Sequence, residues 1–75
     1  MIIKSVKKAS AILKKLSDNY PDCLRLDELS RHTGINKSTC IHLLDTLIEE
    51  QLVERSGHAV YRLAAGCFYL TRSGR

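Results

Sequence analysis

The apolar positions fall into three stretches of helical period, then two of strand character. In the first, Ile2, Val6, Ala9, Ile12, Leu13 and Leu16 recur mostly at intervals of three and four, as one face of a helix does. Lys7, Lys8, Lys14 and Lys15 lie largely off that stripe. The pattern predicts a helix from Ser5, its N-cap, to about Asn19, with Asn19-Tyr20-Pro21-Asp22 as stop and turn. Cys23-Leu24-Arg25 reads as a brief edge strand. A short helix follows from about Leu26 to Thr33, with Asp27 and Glu28 at the positive end of its dipole and Leu26 and Leu29 facing inward. Gly34 ends it, because a tight helix exit needs a left-handed residue.

The third helix has the clearest pattern. Asn36 caps it and it runs to about Glu50. At about 100° per residue, Cys40, Leu43, Leu44, Leu47 and Ile48 share one stripe, Ser38, His42, Asp45 and Glu49 face the other way, and Ile41 lies on the border. Leu52 to Arg55 and Ala59 to Leu63 have strand composition, with Ser56-Gly57-His58 as the hairpin loop. A final short helix spans Ala65 to Arg72 and buries Cys67, Phe68 and Leu70, leaving Thr71 to Arg75 as a frayed end.

Two helices joined by Gly34-Ile35-Asn36 and followed by a hairpin make a helix-turn-helix with a wing. The expected fold is therefore mainly α with a small β-hairpin: a three-helix core, a wing and a short C-terminal helix. It fills residues 1–75 as one domain, with the helix-turn-helix at about 26–49 and the wing at about 52–63.

Size and charge narrow the function. Seventy-five residues leave no room for a second domain or a deep enclosed pocket, which argues against an enzyme. Twelve Lys and Arg against eight Asp and Glu give a net charge of +4, favouring an anionic partner. Cys23, Cys40 and Cys67 are odd in number and widely spaced, so they read as reduced, mostly buried thiols in a cytosolic protein. No spacing suggests a zinc site, a nucleophile with its base, or a cofactor. No signal peptide or membrane span is expected, since Lys4 interrupts the apolar start.

The third helix would then enter a major groove of double-stranded DNA by its N-terminal end. Asn36, Lys37, Ser38, Thr39 and His42 occupy that end, whereas Asp45, Glu49 and Glu50 would repel phosphates from the far one. In the wing, Arg55, His58 and Arg62 are candidates for the backbone or minor groove. Arg25, before the second helix, is a further phosphate candidate. Each has a plainer alternative: a solvated lysine, a locally bonded threonine, an ordinary exposed hairpin.

The ordered residues resemble the IclR family of bacterial transcription regulators. Ser5 to Leu13 is similar to that family's opening helix, and Leu26-Asp27-Glu28-Leu29 with Thr33-Gly34-Ile35 to its second helix and turn. Lys37-Ser38-Thr39 with Leu43, Leu44 and Leu47 resembles its recognition helix, and Leu52 to Arg55 with Tyr61-Arg62-Leu63 its wing. The resemblance implies a DNA-binding domain that normally precedes a larger effector-binding domain. It also implies homodimers, here through the first and last helices, on palindromic operators in the cytoplasm at the nucleoid. Three positions depart from the family pattern. His42 stands where Arg is frequent, Gln51 where Gly is common, and Ala64-Ala65 where Gly-Pro is frequent. The leading function is sequence-specific DNA binding for transcriptional control; the alternative is a winged-helix module for protein interaction or dimerisation.

Overall fold

The computed structural model describes residues 1–67, and they form three helices and a three-stranded antiparallel sheet. Helix α1 spans Lys4–Asn19, strand β1 Leu24–Arg25, helix α2 Leu26–Thr33 and helix α3 Lys37–Glu49. Strands β2, Val53–Gly57, and β3, Val60–Leu63, follow. The sheet order is β1-β3-β2, with Leu24 opposite Tyr61 and Val53 opposite Leu63. Of the expected C-terminal helix, Ala65, Gly66 and Cys67 are described: Ala65 is a turn residue and the other two are helical; Phe68, Leu70 and the rest lie outside the described residues.

The core sits where the three helices meet the inner face of the sheet. Ile12 and Leu16 come from α1, Leu29 from α2, and Cys40, Leu44 and Leu47 from α3. Leu24, Val53, Tyr61 and Leu63 come from the sheet, and Ile35 from the turn. Leu26, Leu43 and Ile48 pack half-buried around them, so the stripes expected on α2 and α3 do face inward. Among the described residues no polar or charged side chain is buried.

Four local expectations are corrected. Helix α1 begins at Lys4 with Ile3 in the cap position, so Ser5 is a helical residue and not the N-cap. Ile2 and Val6 are 71% and 60% exposed and do not join the core. Ile2 precedes α1, Val6 borders an open groove with Leu43 and Leu47, and burial along the helix is complete only at Ile12 and Leu16. The hairpin turn falls at His58–Ala59, not at Ser56-Gly57-His58. An irregularity between Arg55 and Gly57 carries β2 past Ser56, and Ala59 takes a left-handed conformation at φ 54°. Lastly, only Cys40 is fully buried; Cys23 and Cys67 are half-buried, and all three are free thiols.

The departure at Gln51 has a backbone consequence. Helix α3 ends in a Schellman motif: the Gln51 N–H donates to the Ile48 carbonyl at 2.9 Å and the Leu52 N–H to the Leu47 carbonyl at 2.9 Å. That motif needs a left-handed residue at position 51, and Gln51 supplies it at φ 64°. Gly66 packs directly over the same peptide, and a Cβ there would collide with the Gln51 carbonyl. Replacing Gln51 with Gly relieves about 1–2 kcal/mol of left-handed strain and returns about 0.4–1 kcal/mol through a freer unfolded chain. Gln51→Gly should therefore stabilise modestly in denaturant titration. Gly66→Ala should destabilise by about 1–3 kcal/mol, because the obstacle is backbone and cannot rotate away.

Candidate nucleic-acid interface

The interface is built on the turn between α2 and α3. Gly34 adopts φ 75°, and its N–H closes α2 on the Ser30 carbonyl at 3.0 Å. Ile35 then turns its side chain into the core, 6% exposed. Side chains around it bind its backbone. The Ser30 hydroxyl donates to the Ile35 carbonyl at 2.6 Å, the Cys40 thiol donates weakly to the same oxygen at 3.7 Å, and Thr33 Oγ1 accepts the Ile35 N–H at 3.4 Å. Burial raises the pKa of the Cys40 thiol above its ordinary value, against a weaker pull from Thr33, which keeps it a neutral structural donor.

Asn36 starts α3 as its sequence suggested. Its Oδ1 accepts the Thr39 N–H at 2.9 Å, which satisfies one of the helix's unpaired donors. Lys37, Ser38 and His42 are exposed beyond it, whereas Thr39 is half-buried. Asp45, Thr46 and Glu49 continue the exposed face, so the helix carries a basic and hydroxylic start and an acidic finish.

Lys37 is not free. Its Nζ lies 2.7 Å from Asp27 Oδ1 in α2, and both side chains are largely exposed. The Lys37 ammonium holds the Asp27 carboxyl below the usual carboxylate range, with smaller contributions from Arg25 and Arg31. At the start of α2, Glu28 Oε1 accepts the Arg25 N–H at 3.0 Å, the carboxylate half of a capping box. Arg has no acceptor to complete the reciprocal half.

The wing lies against this corner. The Leu26 N–H donates to the Ala59 carbonyl at 2.9 Å, tying the hairpin turn to the start of α2. Arg25, Asp27 and His58 thereby line one shallow cleft of about 340 Å³ with Leu26, Ala59 and Val60. Arg55 is exposed on β2, and its Nε–H donates to the Gly57 carbonyl at 3.2 Å. Arg62 is placed differently. It pairs across the hairpin with Glu54, Nε at 2.9 Å and Nη2 at 2.8 Å from the same Oε1, and this pair raises its pKa further. Cys23 and Tyr20 are its other electrostatic neighbours.

The fold thus gathers Arg25, Lys37 and His58 around Asp27, sets Ser38 and His42 on the exposed side of α3, and leaves Arg62 with Glu54. Two participants were missed in the sequence. Asp27 read only as a dipole-compensating carboxylate, since nothing local shows that Lys37, ten positions on, comes back to it. Ile41 read as a border residue and is 40% exposed. Among the described residues no group of three or more His, Cys, Asp or Glu is placed to hold a metal ion. No described helix is long and apolar enough to cross a membrane.

A trihelical core with a capped third helix, a basic corner and a wing defines a winged helix-turn-helix DNA-binding domain. The sequence profile of the IclR helix-turn-helix domain matches residues 5–57, and the chain belongs to that family of transcription regulators. The crystal structure of Pseudomonas aeruginosa HmgR shares the fold, with a TM-score of 0.82 at 22% identity over 96% of this chain. This chain spans 31% of the HmgR chain. None of the curated proteins compared matches it.

Neutralising Asp27 should expose the latent charge of Lys37. Asp27→Asn is expected to raise affinity for duplex DNA several-fold at low salt and to lose that advantage in concentrated salt, where exposed charges are screened. Its melting temperature should barely move, because an exposed pair adds little to stability. In the wild-type protein the carboxylate persists down to its lowered pKa and protonates only below it. Wild-type affinity should therefore approach that of Asp27→Asn only below the usual carboxylate range, as pH-resolved fluorescence anisotropy would show.

Proposed function

We propose that this domain binds DNA sequence-specifically to control transcription, with the N-terminal half of α3 in the major groove and the wing on the backbone or minor groove. The observation that carries this reading is the position of α3. Its capped start stands at the surface, joined through the Lys37–Asp27 pair to the cleft that the wing turn lines, while its acidic half lies farther along the helix. Ser38 and His42 contribute to base readout. Lys37, Thr39 and Arg25 contact phosphates, and Asn36 acts first by presenting the helix end. Arg55 and His58 carry the wing contacts. Arg62 adds a backbone contact through the guanidinium N–H groups that Glu54 does not occupy. No cofactor enters the reading, and its setting is the cytoplasm at the nucleoid.

Binding should weaken steeply with salt, with a log–log slope of about −0.9 per phosphate neutralised. Lys37→Ala with Arg55→Ala should make that slope shallower by about 1.8. Neither substitution opens the core, since both residues are exposed. Salt-independent binding, or an unchanged slope in the double variant, would remove the DNA reading. The alternative interaction module predicts that such loss of charge leaves partner affinity intact.

The domain acts as a homodimer on a palindromic operator, with half-sites about one DNA turn apart. Apolar exposure supports the first helix as its contact. Ile2, Ile3 and Val6 are exposed there, and Val6 and Ala9 line a groove of about 310 Å³ with Leu43 and Leu47. The share assigned to the last helix lies largely outside the described residues. Val6→Glu should shift the chain toward monomer in analytical ultracentrifugation and weaken binding to a two-half-site duplex more than to a single half-site. Equal weakening on both duplexes would place the dimer contact elsewhere.

A further inference from the structure

We infer that Ile41 reads the 5-methyl group of a thymine in the major groove, making it a specificity-determining residue of α3. The inference rests on the proposed placement of α3 in the groove and adds the base feature that this helix recognises. Ile41 is 40% exposed, and every other exposed residue of α3 is polar: Lys37, Ser38, His42, Asp45, Thr46 and Glu49. At about 100° per residue, Ile41 lies about 60° round the helix from Ser38 and about 40° from Lys37. It is therefore one turn along from the lysine and flanks the polar face presented to the groove.

The ligand follows from the chemistry of the side chain. Isoleucine has no donor or acceptor, so it cannot pair with the polar edges of guanine, adenine or cytosine. Thymine alone among the four bases carries an apolar group in the major groove, the methyl on C5. Its neighbours suit the same depth of insertion: Lys37 and Ser38 precede it by one turn or less, and the acidic residues begin only at Asp45. The branched side chain is stiff at χ1, so little rotamer freedom is lost on contact.

The test uses a duplex selected by this chain from random DNA, with its thymines replaced one at a time by uracil, which lacks only the methyl. For the wild-type chain, one thymine per half-site should weaken binding about fourfold on replacement, the worth of one buried methyl-sized group. Ile41→Ala should bind the thymine duplex more weakly and be indifferent to uracil at that position alone, with Ile41→Val in between. Its salt slope and melting temperature should match the wild type, since the side chain meets neither phosphate nor core. If Ile41→Ala keeps the full sensitivity to uracil, or if no thymine is methyl-sensitive in the wild type, the inference fails while salt-dependent binding stands. If no duplex is enriched, or binding ignores salt, the DNA reading itself fails and this inference with it.

Discussion

The buried side chain of Ile35 is the constraint on which the interface depends. It sits between two residues with fixed roles, a left-handed Gly34 and a helix-capping Asn36. Its burial pins the only short connection between α2 and α3. Ser30, Thr33 and Cys40 then satisfy its backbone from both helices, so the turn is held by packing and by hydrogen bonds together. The direction of α3 follows from that anchor. Because Cys40, Leu44 and Leu47 must face the same core as Ile35, Ser38 and His42 are obliged to face outward. An error of one residue in the turn would rotate the helix by about 100° and put the wrong face at the surface.

The charges follow a second logic. The chain is basic overall, yet two of its best-placed cations are held by carboxylates, Lys37 by Asp27 and Arg62 by Glu54. Both pairs are exposed, so each contributes little to stability and leaves the cation able to exchange partners. The consequences differ with position. Asp27 stands in the cleft where the start of α2 meets the wing turn, and its pair with Lys37 ties the first residue of α3 to that cleft. Glu54 lies on the strand opposite Arg62, and there the pair joins side chains that the hairpin register already places together, while other guanidinium donors stay open.

Backbone geometry joins the helices to the wing. The left-handed Gln51 reverses the chain out of α3, and Leu52 then gives its carbonyl to the Ala64 N–H at 3.0 Å, which closes the base of the hairpin. Gly66 itself packs against that reversal, where a side chain would collide with the Gln51 carbonyl. At the other end, Ala59 binds the Leu26 N–H and brings His58 to the start of α2. The wing is thus secured at its base by the exit of α3 and at its tip by the entry of α2, so its position relative to α3 is set at two points.

The sequence by itself determined the elements and their order. The spacing of Cys40, Leu44 and Leu47 forced a helix with its polar face at Ser38 and His42, and Gly34 and Asn36 marked its entrance by local chemistry alone. The likeness to the IclR family, rather than the local pattern, marks Gln51, which is left-handed. The local pattern also located the strands. These are properties of the chain within a few residues, where periodicity and capping act. Only the tertiary structure decided which apolar residues had a partner. Ile2 and Val6 share the helical stripe with Ile12 and Leu16, but Ile2 precedes the helix and Val6 only borders an open groove with Leu43 and Leu47, so neither is buried. It also decided the electrostatic pairs, because Asp27 meets Lys37 only once the turn has folded α3 back on α2. Local pattern reports what a residue prefers; contact between distant segments settles what it meets, and the corner of Arg25, Asp27, Lys37 and His58 is made of such contacts.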